Sequence, residues 1–424
     1  MKNPQSLFDF IKSSPTPHHT VNEIKARLVS SGYTELNERD VAAFSDGGKH
    51  FTVRADSSII AFHGKGRAVT CAATHCDTPT LKIKSDIASG AYIRLDVEKY
   101  GGPILYSWLD RPLSVAGIVA VDQGSGIELR LVNIDRDIAV IPSVAIHQQR
   151  SVNDGFSPSI SVDMPPLVAL SEGKSLLTLI AEELDVCVVN ILSHDLYVYA
   201  RDCGRVIGTS GELMLSPRLD NLECTYAALR GFLSAEDSDS VSVLAVFNNE
   251  EIGSSTRQGA DSTFLSDTLA KIFPTPEALS EALENGFMLS MDNAHAVHPN
   301  HPELSDKNGC PALGSGVVLK LNANGRYATD AASAAIARKL ASRASAKIAT
   351  YYCHADKPCG STLGAIATTG VPLLTADVGL PQLAMHSAVE TAAVSDLNDM
   401  IAIARELFSS KIYKTEQGYG IAKK

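Results

Sequence analysis

The 424-residue sequence lacks any uninterrupted run of 18 apolar residues, any cluster of lysine and arginine, and any CxxC pair. Each absence excludes a class of protein. Without an apolar run of that length, no helix is expected to span a bilayer. The opening MKNPQSLFDFIKSSPTPHH has neither the apolar core nor the small-residue cleavage site of a secretory signal, so a cytoplasmic protein is expected. A net charge of −11 with no basic cluster to offset it argues against nucleic acid or an anionic membrane as partner. The eight cysteines, at 71, 76, 187, 203, 224, 310, 353 and 359, are scattered. That excludes a zinc ribbon or a dense disulfide framework and predicts reduced, mostly buried thiols.

What is present is enough apolar sequence, 45% of the chain, to bury a large core in about two domains. Asn3 reads as a helix N-cap ahead of Pro4 and SLFDFIKSS, and Thr20 opens a second helix through VNEIKARLVSSG. Strand-like SIIAFHG and RAVTCAATHCD follow, separated by a turn-prone GKGR. From about Ser89 to Gly211 alternating segments such as YIRLDVE, GIVAVD, IELRLVNI and DLYVYA dominate, with one helix near Ser175 to Glu183. Beyond Leu215, strands and helices alternate again through VSVLAVFN, GFMLSMD, GVVLKLN and VPLLTAD to a closing helix with one apolar face. The expected architecture is α/β, a central mixed sheet flanked by helices. It is discontinuous over 1–88 and 212–424, with a β-rich domain inserted at 89–211.

Chemistry collects at the strand ends. VSVLAVFNNEEIGSST, residues 241–256, runs from buried strand into Glu250 and Glu251. RAVTCAATHCD ends in His75 and Asp77, GFMLSMDNAH in Asp292 and His295, and VPLLTADVGLPQLAMHS leads to His386. In an open α/β sheet the carboxyl ends of strands border the ligand crevice, so these tips converge despite their separation in sequence. Carboxylates brought together in a low-dielectric cleft repel, and a divalent cation relieves the repulsion. Two histidines and three carboxylates (His75, Asp220, Glu251, Asp292, His386) suit a pair of Zn²⁺ or similar ions about 3.5–4 Å apart with one bridging carboxylate. Asp220, in SPRLDNLE just before a helix, is the natural bridge, although Asp there also suits a plain helix N-cap. Successive side chains at a strand end diverge, so Glu250 and Glu251 can serve different roles.

Seven segments, in this order, resemble the motifs of the aspartyl aminopeptidase family: THCDTPTLKIK, SPRLDNL, NNEEIGSS, DNAHAVHPN, RYATD, PCGSTLGAI and LPQLAMHSAVE. These are cocatalytic-metal exopeptidases of the zinc-peptidase clan, and the resemblance covers nearly the whole chain. It implies one metal on His75 and Asp292, a second on Glu251 and His386, and Asp220 bridging them. The metals would be Zn²⁺, with Mn or Co as alternatives in one site. Asp77 would orient His75, and Glu250 would be the general base toward a metal-activated water. His295, Lys320 and Tyr327 match substrate-contacting positions, with Lys320 pairing an acidic first residue of a peptide. The inserted unit is a dimerisation or lid domain in such proteins. It would deliver His147 to a neighbouring subunit within a homodimer and a tetrahedral homododecamer.

Alternatives stay open at this point. They are a preference for neutral first residues, hydrolysis of N-acyl amino acids, and a non-catalytic assembly protein. Asn293 and Gly325 depart from the family's usual residues beside the expected specificity pocket. His63, His194 and His354 read as ordinary core or surface histidines, and Lys320 taken alone reads equally well as a solvated strand residue.

Overall fold

Runs of β-branched and small apolar residues build the central sheet of the computed structural model, which describes residues 4–423. Its nine strands are β1 (Thr34–Glu35), β2 (His50–Arg54), β3 (Ser58–His63), β4 (Val69–His75), β5 (Val241–Phe247), β6 (Phe287–Met291), β7 (Val317–Leu321), β8 (Ile348–Tyr352) and β9 (Leu374–Gly379). They lie in the order β1-β2-β3-β5-β4-β6-β9-β7-β8. The four central strands β5, β4, β6 and β9 are parallel to one another; β3 on one side and β7 on the other run against them. The sheet is therefore mixed.

Every residue of β5 is buried, as a parallel strand covered on both faces requires. Leu244 and Val246 point into one apolar layer, with the helices Pro17–Ser30, Leu219–Ser234, Ala331–Arg343 and Val394–Phe408. Val241, Val243, Ala245 and Phe247 point into the other, with Phe264–Ile272, Pro276–Glu284 and Leu363–Gly370. Each such side chain taken fully out of water contributes about 1.5–3 kcal/mol before conformational entropy is subtracted.

A second, antiparallel sheet of six strands is formed by Ile127–Asn133, Leu113–Asp122, Ile191–Ala200, Thr80–Ser89, Tyr92–Tyr100 and Leu167–Leu170, in that order. It has its own core around Leu81, Val115, Ile180 and Leu196. Against it packs the helix Leu176–Leu184, whose N-cap Ser175 accepts from the Thr178 amide. In chain order the first of these strands, Thr80–Ser89, directly follows β4. A third, five-stranded sheet joins Arg205–Ile207 and Leu213–Ser216 to Glu390–Ala393, Pro381–Leu383 and Ala294–His295.

Two local expectations change. The second helix begins at Pro17, three residues before Thr20, because proline fits the first turn where no amide partner is needed. Asn3 lies outside the described residues, and Pro4 precedes the first helix, Gln5–Lys12. The thiols are not all reduced: Cys353 and Cys359 form a disulfide, because the chain turns back between β8 and the helix Leu363–Gly370 and brings their Cα atoms to 5.8 Å. Cys71, Cys76 and Cys224 are buried and free, whereas Cys187 and Cys203 are exposed. Among the described residues, no helix is long and apolar enough to cross a membrane.

Candidate metal centre

Because β5, β4, β6 and β9 are parallel, their carboxyl ends share one edge of the sheet. Phe247 of β5 sits in register with His75 of β4, so the turn Glu250–Ile252 that follows projects Glu250 and Glu251 beside that histidine. Asp292 follows β6, and the chain after β9 returns His386 to the same edge. Asp220 arrives from the helix Leu219–Ser234, whose first turn departs from helical φ/ψ at Asp220 and Asn221. Asn221 is fully buried and anchors that turn across two strands, donating to Thr74 Oγ1 at 2.9 Å and to the Met291 carbonyl at 2.8 Å. Asp220 is therefore not a simple N-cap.

The tips meet. His75 Nε2 lies 3.5 Å from Asp292 Oδ1 and 3.7 Å from Asp220 Oδ1. His386 Nε2 lies 3.4 Å from Asp220 Oδ2 and 3.5 Å from Glu251 Oε2. Donor atoms of three triads lie within 4.8 Å of one another: His75, Asp220 and Asp292; Asp220, Glu251 and His386; and His75, Glu250 and Glu251. The first two share Asp220.

Both imidazoles are oriented from behind. His75 Nδ1 faces the Asp77 carbonyl at 3.0 Å and His386 Nδ1 the Gly102 carbonyl at 3.1 Å. A carbonyl only accepts, so Nδ1 carries a proton in each ring, and in the neutral ring, the form that binds a cation, Nε2 turns its lone pair to the cluster. Asp77 is fully buried and organises the turn: its carboxylate accepts from the amides of Glu250 and Glu251, both at 3.1 Å, and from Tyr100 Oη at 2.7 Å.

Glu390 accepts from the amides of Asp220 at 2.9 Å and His386 at 2.8 Å, tying two distant segments together. Tyr100, Gly102 and Glu390 are the supporting residues that sequence reasoning missed. Glu390 lies inside LPQLAMHSAVE, four residues after His386, and that spacing was its only signal. Gly101 has φ +66°, and a Cβ there would come within 3.1 Å of the Glu251 side chain, so glycine permits the approach.

The electrostatics are those of acids held too close. Burial, with the charges of Asp292, Asp77 and Asp220 and against the opposing pull of His75, pushes the Glu250 carboxyl up to about 8. Burial and the Asp220 charge push Glu251 well above the carboxylate range. Burial works against a charged His386, but the Asp220 hydrogen bond and the Glu251 charge win and raise it to about 10. Asp220 Oδ1 is buried with no hydrogen-bond partner. Imidazole Nε2 atoms turned into the cluster, crowded carboxylates and an orphaned oxygen fit divalent cations bound by nitrogen and oxygen donors, which would take the place of the protons that hold this cluster together.

Around this centre lies a cleft of about 740 Å³, lined by His295, Lys320, Tyr327, Tyr351 and by residues 353, 354 and 357–362. Lys320 is not a solvated strand residue. It is 3% exposed, with Nζ 3.8 Å from Asp292 Oδ2 and 5.4 Å from the centre of the Tyr327 ring. Asn293 is buried and satisfied, donating to the Leu219 carbonyl and to Gln382 Oε1 and accepting from the Leu380 amide. His147 is exposed on the inserted unit and does not line the cleft of its own chain.

The sequence profile of the family described as Aminopeptidase I zinc metalloprotease (M18) matches residues 10–408. The chain belongs to the M18 family. A probable M18 family aminopeptidase 2 of Clostridium acetobutylicum is 40% identical, over 92% of this chain and 95% of its own. Two solved structures extend the likeness. The Ape4 chain solved by cryo-EM in complex with Nbr1 has TM-score 0.92 and 33% identity, covering 95% of this chain and 85% of that one. The S. cerevisiae mApe1 dodecamer has TM-score 0.82 and 27% identity, covering 95% of each chain. This M18 protein is accordingly a metallo-aminopeptidase, a hydrolase acting at peptide N-termini, of a zinc-dependent family.

Proposed function

We propose that this M18 chain is a cocatalytic aminopeptidase that holds two divalent cations and removes single residues from peptide N-termini, preferring Asp or Glu in first position. The observation that carries the reading is Asp220, whose two carboxylate oxygens face different imidazoles, His75 at 3.7 Å and His386 at 3.4 Å. One ion would be held by His75, Asp292 and Asp220, the other by Asp220, Glu251 and His386. Zn²⁺ suits both, with Mn²⁺ or Co²⁺ as alternatives in one. When bound, such cations polarise the scissile carbonyl and lower the pKa of the attacking water toward about 7.

The chain's own residues do the rest. Glu250, needed by neither of those triads, accepts a proton from the attacking water and delivers it to the leaving amine. Asp77, through its main-chain carbonyl at 3.0 Å with its carboxylate close behind at 3.4 Å, keeps His75 in the tautomer that presents Nε2. The buried Lys320 supports acidic selectivity: a substrate carboxylate would neutralise a charge that Asp292 meets only at 3.8 Å. His295 and Tyr327 would contact the same residue.

The inserted unit, read as residues 89–211, would dimerise the chain and carry His147 to a partner's cleft. The likeness to the mApe1 dodecamer supports assembly beyond the dimer. The reading takes the cytoplasm as the working compartment.

A panel of aminoacyl substrates tests the specificity. Asp and Glu substrates are expected to exceed Ala and Leu in kcat/KM by about tenfold or more, and Lys320→Met to abolish that difference. Turnover of Ala and Leu substrates equal to that of Asp and Glu would overturn the acidic preference while leaving aminopeptidase activity in place.

A further inference from the structure

The cleft wall contains a feature that the hydrolytic chemistry does not use. Cys353 directly follows β8, Cys359 begins the turn into the helix Leu363–Gly370, and their sulfurs are bonded. Both are partly exposed, and both line the cleft that contains Asp220, Glu250 and His386. The bridge closes the loop 354–358. That loop separates the cleft from a neighbouring cavity bounded by residues 321–326, because His354, Lys357 and Pro358 line both.

The bridge also touches a candidate substrate contact. Tyr327 Oη lies 3.5 Å from Cys353 Sγ and 3.4 Å from Cys359 Sγ. The same ring lies against Tyr351 and beneath the ammonium of Lys320. Fixing the two sulfurs therefore fixes the tyrosine that stands beside the cleft's buried cation.

A cross-link over so short a loop removes little entropy from the unfolded chain, because the effect grows only with the logarithm of loop length. Its consequence is local to the wall and not global to the fold. A partly exposed bridge also lies within reach of thiols, and in a reducing compartment such bridges are the ones that cycle.

We propose that Cys353 and Cys359 form a redox site that sets the substrate-recognition wall. Oxidised, the bridge holds the loop 354–358 and Tyr327 in the binding arrangement; reduced, it releases both. The proposal rests on the reading of this cleft as the peptide-binding site. A dithiol reductant supplies the electrons. One of its thiolates attacks a bridge sulfur, the other bridge sulfur leaves and takes a proton, and the second thiol of the reductant then displaces the first cysteine. Two electrons and two protons pass to the cysteine pair, and the reductant ends as its own disulfide.

The test uses metal-loaded enzyme held in buffers of oxidised or reduced dithiol, with a Cys353→Ser/Cys359→Ser variant in the same buffers. Alkylation of the unfolded chain followed by mass measurement counts thiols. Six modified cysteines are expected from the oxidised state and eight from the reduced state. Steady-state kinetics on Glu and Ala substrates give the second readout. On reduction, KM for the better substrate rises about threefold or more while kcat changes by less than about twofold. The double variant has the higher KM in both buffers.

Eight alkylated cysteines in the oxidised buffer, or an unchanged KM while the thiol count changes, would overturn the proposal. So would an equal rise of KM in the double variant, which would assign the effect to reductant acting on the metals. Failure of the acidic preference is read separately, from the Glu to Ala ratio at a fixed redox state.

Discussion

Asp77 binds no cation in the proposed scheme, yet its carboxylate accepts from the amides of Glu250 and Glu251 and from the Tyr100 hydroxyl, and Oδ1 lies 3.4 Å from His75 Nδ1, whose hydrogen bond goes to the Asp77 main-chain carbonyl. Asp77→Asn keeps the size but replaces one acceptor oxygen with a donor facing an N–H or O–H group. Cation affinity is expected to fall by about 10–100-fold, read by titrating the metal-free protein; an unchanged affinity would remove Asp77 from the orienting role. Glu250 behaves differently at the same scale. Glu250→Gln is expected to lower kcat by about 10²–10⁴-fold while elemental analysis finds the metal content intact. Loss of metal from that variant would make Glu250 a ligand and not the base.

At the scale of elements, two partly buried histidines lie outside the cleft lining. His63, at the end of β3, accepts from or donates to Tyr33 Oη at 2.8 Å and packs on Phe232. Burial, aided by Lys49 and opposed by Asp237, lowers its pKa to about 4. His19, in the helix Pro17–Ser30, is lowered to about 4 by burial and by the nearby His18 and Arg218. Both rings are neutral in the folded chain at a pH where the unfolded chain has begun to protonate them. Stability is thus complete above about pH 6.5 and is lost as pH falls from there toward about 4, by up to about 3 kcal/mol for each ring. His63→Gln should narrow the gap between thermal midpoints measured near pH 7.5 and near pH 5, relative to wild type, after metal removal from both. An unchanged gap would show that His63 protonates freely in the fold.

For the molecule as a whole, the inserted unit is not an appendage. Tyr100, the cross-strand partner of Thr80 in that unit, and the Gly102 carbonyl just beyond it support Asp77 and His386. The metal centre and the β-rich unit are therefore expected to lose structure together. In the proposed assembly His147 would extend the coupling across copies. If it serves a partner's cleft, His147→Ala and Glu250→Gln are each nearly inactive alone. Subunits mixed through dissociation and reassembly then recover up to about a quarter of wild-type sites, since half of random dimers are mixed and each has one complete site. No recovery, with mixed assemblies verified by native mass measurement, would confine His147 to a role within its own chain.

The α/β class, the strand identities and the five converging donors were legible in the sequence, because buried parallel strands read as apolar runs and their carboxyl-end tips carry histidines and carboxylates. That Glu250 and Glu251 end a fully buried strand follows from this pattern alone. What the sequence could not state was the supporting shell. Glu390, Tyr100 and the Gly102 carbonyl act through contacts between segments up to 284 residues apart, and no local periodicity records such a meeting. Lys320 shows the same limit, since a lysine in a strand reads as solvated until the fold closes Tyr327 and Asp292 around it. The paired Cys353 and Cys359 show it too: their spacing fits no motif, and only the turn between β8 and the next helix brings the sulfurs together. Residue pattern determines which side chains can do chemistry; chain crossing determines which of them meet, because distance in space is decided by how the sheet is wound.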